Sequence, residues 1–265
     1  MDTDLFSKSC VAFIVFSLTA SCIYILNDYM DIELDKRHPE KRNRPLASGA
    51  IGKKTAIGIF VLLIVLAVGF TLYMQNRGLE IQEFATVIIS YFVINILYTF
   101  KLKHVAIVDI CIIATGFVLR VLAGGYITGI VVSQWAILLT FILALVLAIG
   151  KRRGELINAQ INGKTRKALD GYNVQFADIA LSISCALAIV CYLMFTLSPE
   201  VQQKFHPRVF YTVIFVVFAF LRYLQQTLVY NKTESPTKII YKDHYIQATM
   251  LLWLIAFLLQ IYFKK

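Results

Sequence analysis

Apolar runs of about 20 residues recur along the chain, separated by short charged stretches, and this constrains the fold more than any other feature. A helix rises ~1.5 Å per residue, so ~20 residues cross the ~30 Å hydrocarbon core of a bilayer. Eight such spans are expected, near residues 6–26, 55–74, 81–100, 105–125, 131–150, 176–198, 208–229 and 245–263. The composition agrees: 58% of residues are hydrophobic and the mean hydropathy is +0.70, against ~45–50% apolar in soluble domains. All five prolines (39, 45, 199, 207 and 236) fall between the runs, as uninterrupted spanning helices require. The first run lacks a basic start and a small-residue cleavage site, so it reads as a span and not as a signal peptide. The expected fold is an all-α, polytopic transmembrane helical bundle forming one domain over residues 1–265.

The charges give this bundle an orientation. Of the 26 Lys and Arg residues, eighteen lie in the loops 27–54, 101–104, 151–175 and 230–244, and six lie in the alternate loops and termini. The positive-inside rule places the richer side in the cytoplasm, which puts the N-terminus outside and the polar mouth of the bundle at the cytoplasmic face of the inner membrane. The net charge of +10 therefore reads as topology, with anionic membrane lipids and phosphates as partners and no nucleic acid. The two longest charged loops follow spans 1 and 5, a weak sign of two four-helix halves. The five cysteines (10, 22, 111, 185 and 191) all sit inside apolar runs and read as small buried apolar residues. The four histidines are scattered in loops and form no metal constellation.

The densest polar feature is "NDYMDIELD", directly after the first span. On a helix, at 100° per residue, Asn27, Asp28, Asp31 and Asp35 fall within about 100° of one face, while Glu33 falls off it. Carboxylates this close repel unless a cation sits among them. Oxygen-only ligands suit Mg2+, which commonly takes one or two carboxylates plus substrate phosphates. Lys36, Arg37, Lys41, Arg42 and Arg44 follow at once. Acids with a metal ion, flanked by Arg and Lys, are the usual apparatus for holding a diphosphate and stabilising its departure. Inside the spans, Asp109 stands about five residues into span 4, where an acid is costly and by default functional or paired. Arg120 shares its face but is about 16 Å further along the axis, and snorkels towards the outer end. Arg222 lies about two turns from the cytoplasmic end of span 7, within reach of the phosphate mouth.

"NDYMDIELD" also fits N-D-x-x-D-x-x-x-D, and the chain here resembles the UbiA superfamily of intramembrane prenyltransferases. The longer stretches "DKRHPEKRNRPLASGAI", "LYTFKLKHVAIVDICIIATGFVLRVLAGG", "LAIGKRRGEL", "LRYL" and "SPTKIIYKDHYIQATMLLW" are similar to the branch of decaprenyl-phosphate phosphoribosyltransferases. The resemblance covers nearly the whole chain. It implies a lateral opening to lipid, a Mg2+ held by Asn27, Asp28, Asp31 and Asp35, and phosphate contacts from Lys41, Arg42, Arg44, Lys151 and Arg152. Asp31 and Asp35 would serve catalysis, with Tyr98, Lys103, Asp109, Glu155 and Arg222 as further substrate contacts. The substrates implied are phosphoribosyl diphosphate and a polyprenyl phosphate, with pyrophosphate leaving.

Two departures from that pattern stand out. The superfamily usually has nine spans, and this chain starts at what would be the second, so the first helix is expected to be missing. Many members carry a second Asp-rich motif after the span equivalent to span 5; here "KRRGEL" offers one acid, Glu155. Two other readings stay open at this point. One is a true prenyltransferase that alkylates an aromatic or quinone-precursor acceptor with a prenyl diphosphate. The other is a non-enzymatic transporter or lipid-binding membrane protein.

Overall fold

The computed structural model describes residues 3–36, 41–76, 81–162, 167–205, 207–231 and 236–262. Arg37, Pro39 and His206 lie outside them. The described chain is built of helices: α1 (Thr3–Met30), α2 (Ile32–Lys36), α3 (Lys53–Asn76), α4 (Gln82–Phe100), α5 (Val108–Thr128), α6 (Gln134–Asn162), α7 (Val174–Leu197), α8 (Pro199–Lys204), α9 (Val213–Leu224), α10 (Pro236–Lys242) and α11 (His244–Tyr262). A π-helical turn, Gln225–Val229, follows α9 directly. Seven segments among the described residues are long and apolar enough to cross a membrane, and the protein is an integral, multi-pass membrane protein. The eighth expected span is helical too, but its apolar stretch, His244–Gln260, is shorter.

Two compact units form. The first comprises Met1–Lys103 and Val118–Val132. In it α1 packs against α3 and α4 around Val15, Phe16, Met74, Phe84, Tyr91 and Ala123. Lipid tails are as apolar as these side chains, so close fit and not water exclusion holds such helices together. Buried Ala56 and Ala67 let α3 approach, and the Phe16 and Tyr91 rings meet with centroids 4.5 Å apart. α5 ends in this unit on Gly129, at φ +68°. Its N–H bonds Tyr126 O, and the N–H of Ile130 bonds Gly125 O at 3.0 Å. This is the Schellman closure, which needs a left-handed residue after the helix.

The second unit comprises His104–Phe117 and Ser133–Lys265. α6 pairs with α7, and α9 lies on α7 and α11, around Ile110, Val146, Ile149, Leu181, Cys185 and Tyr223. Asn173 starts α7 by accepting the N–H of Phe176 at 2.6 Å, a side-chain N-cap.

The sequence expectation needs two corrections here. Helix α6 does not stop near residue 150. It runs on to Asn162 through the cationic stretch expected as loop. Arg152 and Arg153 are both 3% exposed and matched to carboxylates, so they need no water and nothing in the stretch breaks the helix. Asp109 is the second residue of α5, not five residues inside a span.

Candidate active site

The first polar cluster grows out of α1. The helix breaks only nominally at Asp31. The N–H of Asp31 still bonds Asn27 O at 3.0 Å, and that of Asp35 bonds Asp31 O at 2.8 Å. The backbone ladder thus keeps Asn27, Asp28, Asp31 and Asp35 in helical register, as the residue spacing required. One guanidinium nitrogen of Arg44 donates to Asp28 Oδ1 at 2.7 Å and to Asp35 Oδ2 at 2.9 Å. These two carboxylate oxygens are therefore within about 6 Å of each other. Like charges at that separation repel by roughly 3 kcal/mol at an effective dielectric of 20, and the shared cation offsets it. Lys103, 4% exposed, donates to Asp31 Oδ1 at 2.6 Å. Asp35 is buried as well. Asn27 Oδ1 is buried with no hydrogen-bond partner among the described residues, which costs roughly 1–3 kcal/mol unless a further group meets it.

That donor set fits Mg2+. It offers oxygen ligands only, and one of them is orphaned. Among the described residues no three acids converge tightly enough to hold a metal by themselves, and Mg2+ commonly takes one or two carboxylates with substrate phosphates. Lys41 and Arg42 sit in the turn Lys41–Asn43, Arg42 exposed. Tyr98 is half-buried near the end of α4.

The second cluster lies in the other unit. Asp109 has no exposure and accepts from Arg152 Nε at 2.6 Å on one oxygen and from the Tyr172 hydroxyl at 2.7 Å on the other. Tyr172 in turn accepts the Ile107 N–H at 2.6 Å. Arg152 Nη1 reaches Glu155 Oε2 at 2.5 Å. Burial, and the bond donated to Asp109, push the Tyr172 phenol well above its usual range, so it stays protonated. Arg153 is bonded to Asp178, and to Asn231 Oδ1 at 3.1 Å. Lys151 is exposed. Arg222 donates to Asp243 at 3.0 Å and to Gln225, and stands over the Tyr245 ring.

Ten of the sequence-expected residues fall into three groups, and Lys41, Arg42, Tyr98 and Lys151 are assigned to none of them. Asn27, Asp28, Asp31, Asp35, Arg44 and Lys103 come together, and so do Asp109, Arg152 and Glu155. Arg222 belongs to a separate clamp on α11.

A family model described as the UbiA prenyltransferase family matches residues 3–255. The chain belongs to this family. Among UbiA relatives, a decaprenyl-phosphate phosphoribosyltransferase of Mycolicibacterium smegmatis is 33% identical over 98% of this chain and 82% of its own length. Another enzyme of that name, from Corynebacterium glutamicum, is 32% identical over 95% and 75%. The fold matches a UbiA homolog from Archaeoglobus fulgidus bound to DMAPP and Mg2+, with a TM-score of 0.68 and 16% identity over 97% of this chain and 88% of that one.

Sequence reasoning missed Tyr172, Asp178 and Asp243. Tyr172 stands 63 residues from the aspartate it binds, and no local pattern announces it. Asp178 and Asp243 lie at the starts of α7 and α11. Their partners were not legible, because Arg153 and Arg222 read equally well as free cations.

Proposed function

We propose that this protein transfers the 5-phosphoribosyl group from phosphoribosyl diphosphate to a polyprenyl phosphate, at the cytoplasmic face of the inner membrane. The observation that carries the reading is the acidic stripe of Asn27, Asp28, Asp31 and Asp35, interleaved with Arg44 and Lys103. An oxygen stripe threaded by cations suits a metal-bound diphosphate. The names and near-full-length identity of the relatives favour a phosphoribosyl over a prenyl donor. So does the single acid, Glu155, where many members of the family carry a second Asp-rich motif.

A bound Mg2+ would neutralise the diphosphate and make it a better leaving group. Asn27, Asp28, Asp31 and Asp35 would hold that ion. Arg44 and Lys103, with Lys41, Arg42 and Lys151, would pair with phosphate oxygens. Tyr98 would line the substrate path. A phosphate oxygen of the lipid attacks the anomeric carbon, the bond from that carbon to the diphosphate breaks, and pyrophosphate leaves with the electron pair. The nucleophile is already an anion, so no strong general base is required.

Arg152 fits this reading differently from the sequence expectation. It is 3% exposed and bonded to Asp109 and Glu155, so any contact it makes with phosphate would be made from within that pair of carboxylates. Arg222 is likewise engaged by Asp243.

The test is pyrophosphate release from purified protein reconstituted in lipid, supplied with phosphoribosyl diphosphate and Mg2+, with and without a polyprenyl phosphate. Release should need both the lipid acceptor and Mg2+, and Asp31→Asn should abolish it. No acceptor-dependent release from folded protein would refute the reading.

A further inference from the structure

Asn27 Oδ1 has a counterpart on α4, in the same compact unit. The Thr99 hydroxyl, in a residue only 2% exposed, is also buried without a hydrogen-bond partner among the described residues. A threonine inside a helix ordinarily turns its hydroxyl back to the carbonyl four residues earlier. Thr19, Thr71, Thr86, Thr128 and Thr140 all do so here, at 2.7–2.9 Å. The Asn95 amide does the same on α4 itself, at 2.8 Å. Thr99 does not, and a buried hydroxyl left unpaired destabilises the fold.

Both orphaned oxygens stand beside the same ion pair. Tyr91, Asn95 and Thr99 are spaced by four residues and so lie on one side of α4. That side faces α1, since the Tyr91 ring meets Phe16. Lys103, four residues past Thr99, holds Asp31, and Asn27 stands four residues before Asp31. Asn27 and Thr99 thus lie four residues behind the two members of one ion pair, on two helices in contact.

The chemistry of the two oxygens narrows what can meet them. An amide oxygen only accepts hydrogen bonds, so a phosphate oxygen cannot satisfy it. A cation can, and a Ser or Thr hydroxyl is an established Mg2+ ligand in P-loop enzymes. The acids nearby leave room for such uncharged ligands. Asp28 and Asp35 share Arg44, and Asp31 is paired with Lys103, so their charge is already partly neutralised. No three acids among the described residues hold an ion by themselves, and the octahedral shell of Mg2+ has positions for further oxygens. We propose that Thr99 is a ligand of the Mg2+ at the acidic stripe, its hydroxyl oxygen joining Asn27 Oδ1 and tying the ion to α4 as well as to α1. The inference rests on the metal in the reading above, not on the organic group of the donor.

The test reads binding and not turnover. The purified protein is melted in detergent, in EDTA and in a Mg2+ series, with and without inorganic pyrophosphate. The wild type should melt higher as Mg2+ rises. Thr99→Val removes the orphaned hydroxyl and keeps the β-branched shape. In EDTA it should melt about 2–4 °C above the wild type, because a buried unpaired group is gone. It should need about tenfold or more Mg2+ for the same rise in melting temperature. Thr99→Ala, also without a hydroxyl, should need as much, whereas Thr99→Ser should need no more than the wild type. An unchanged Mg2+ requirement in Thr99→Val overturns the proposal and leaves the oxygen to a water or a substrate group. A lower melting temperature of Thr99→Val in EDTA overturns it too, since the hydroxyl would then have a partner in the metal-free protein. So does a loss in Thr99→Ser as large as in Thr99→Val. No Mg2+ effect on the wild type under either condition overturns the metal assignment and this inference together. Intact Mg2+ binding without acceptor-dependent pyrophosphate release overturns the phosphoribosyl reading alone.

Discussion

At the scale of single residues, the Asp31–Lys103 pair separates chemistry from folding. Lys103 is 4% exposed and has Asp31 at 2.6 Å. Breaking a buried pair from one side typically costs ~3–5 kcal/mol, because a charge is left uncompensated, whereas replacing both partners by apolar groups is often near neutral. Asp31→Asn should therefore lower the melting temperature in detergent as well as abolish pyrophosphate release. Asp31→Asn combined with Lys103→Met should recover most of the melting temperature and none of the turnover. Recovery of activity in the double variant would show that Asp31 serves only to hold Lys103. The stripe that carries Asp31 was legible in the sequence because its geometry is local. Spacings of one, three and four residues place oxygens together wherever the helix continues, and the backbone bonds across residue 31 show that it does. The cations on it were legible as a class, but their assignments were not. Arg44 bridges two acids, and Lys103 is 72 residues from its partner.

At the scale of elements, helix ends explain where sequence reading stopped. The end of α6 looked like loop because three consecutive cations usually seek water. Two of them instead find Asp109 and Asp178, 43 and 25 residues away, and the helix runs on. The start of α11 shows the same effect. Asp243 accepts from Arg222 and Gln226 across the helix pair and caps α11 through the Ile246 N–H at 3.0 Å. Burial pushes the Asp243 carboxyl up, but the bonds from Arg222 and from backbone N–H groups outweigh this and hold it below the usual 3.8. A lowered folded-state value means the carboxylate stabilises the fold while charged. That contribution is complete above about 3.8 and is lost as pH falls through the lower folded value. Melting temperatures in detergent should thus fall on acidification below about pH 4 by more in the wild type than in Asp243→Asn, which lacks this term at every pH. The end of α5 offers an independent check on element geometry. Gly129→Ala forces a Cβ into a left-handed turn at φ +68°, and should cost about 1–2 kcal/mol in thermal unfolding. Gly129→Asn should cost less, since Asn tolerates this region.

At the scale of the whole molecule, the helical bundle was the easiest thing to read, because the bilayer imposes it. Continuous apolar runs leave the chain no other fold to adopt. The unequal split of Lys and Arg between alternate loops predicts which ends face the cytoplasm. The proposed chemistry requires the same orientation, since a phosphorylated sugar donor is charged and would reach the acids at the end of α1 from the aqueous cytoplasm. Orientation is therefore a test of the function reading as well as of the fold. Lys54, exposed at the start of α3, follows the acidic stripe on the cation-rich side, whereas Val131, 93% exposed after α5, lies in an alternate loop. In a background with the five native cysteines replaced, Val131→Cys in intact cells should react with a membrane-impermeant maleimide. Lys54→Cys should react only after the membrane is opened. The reverse pattern would place the acidic stripe outside the cytoplasm, away from its proposed donor. The phosphoribosyl reading would then fail even though the helical bundle itself stood.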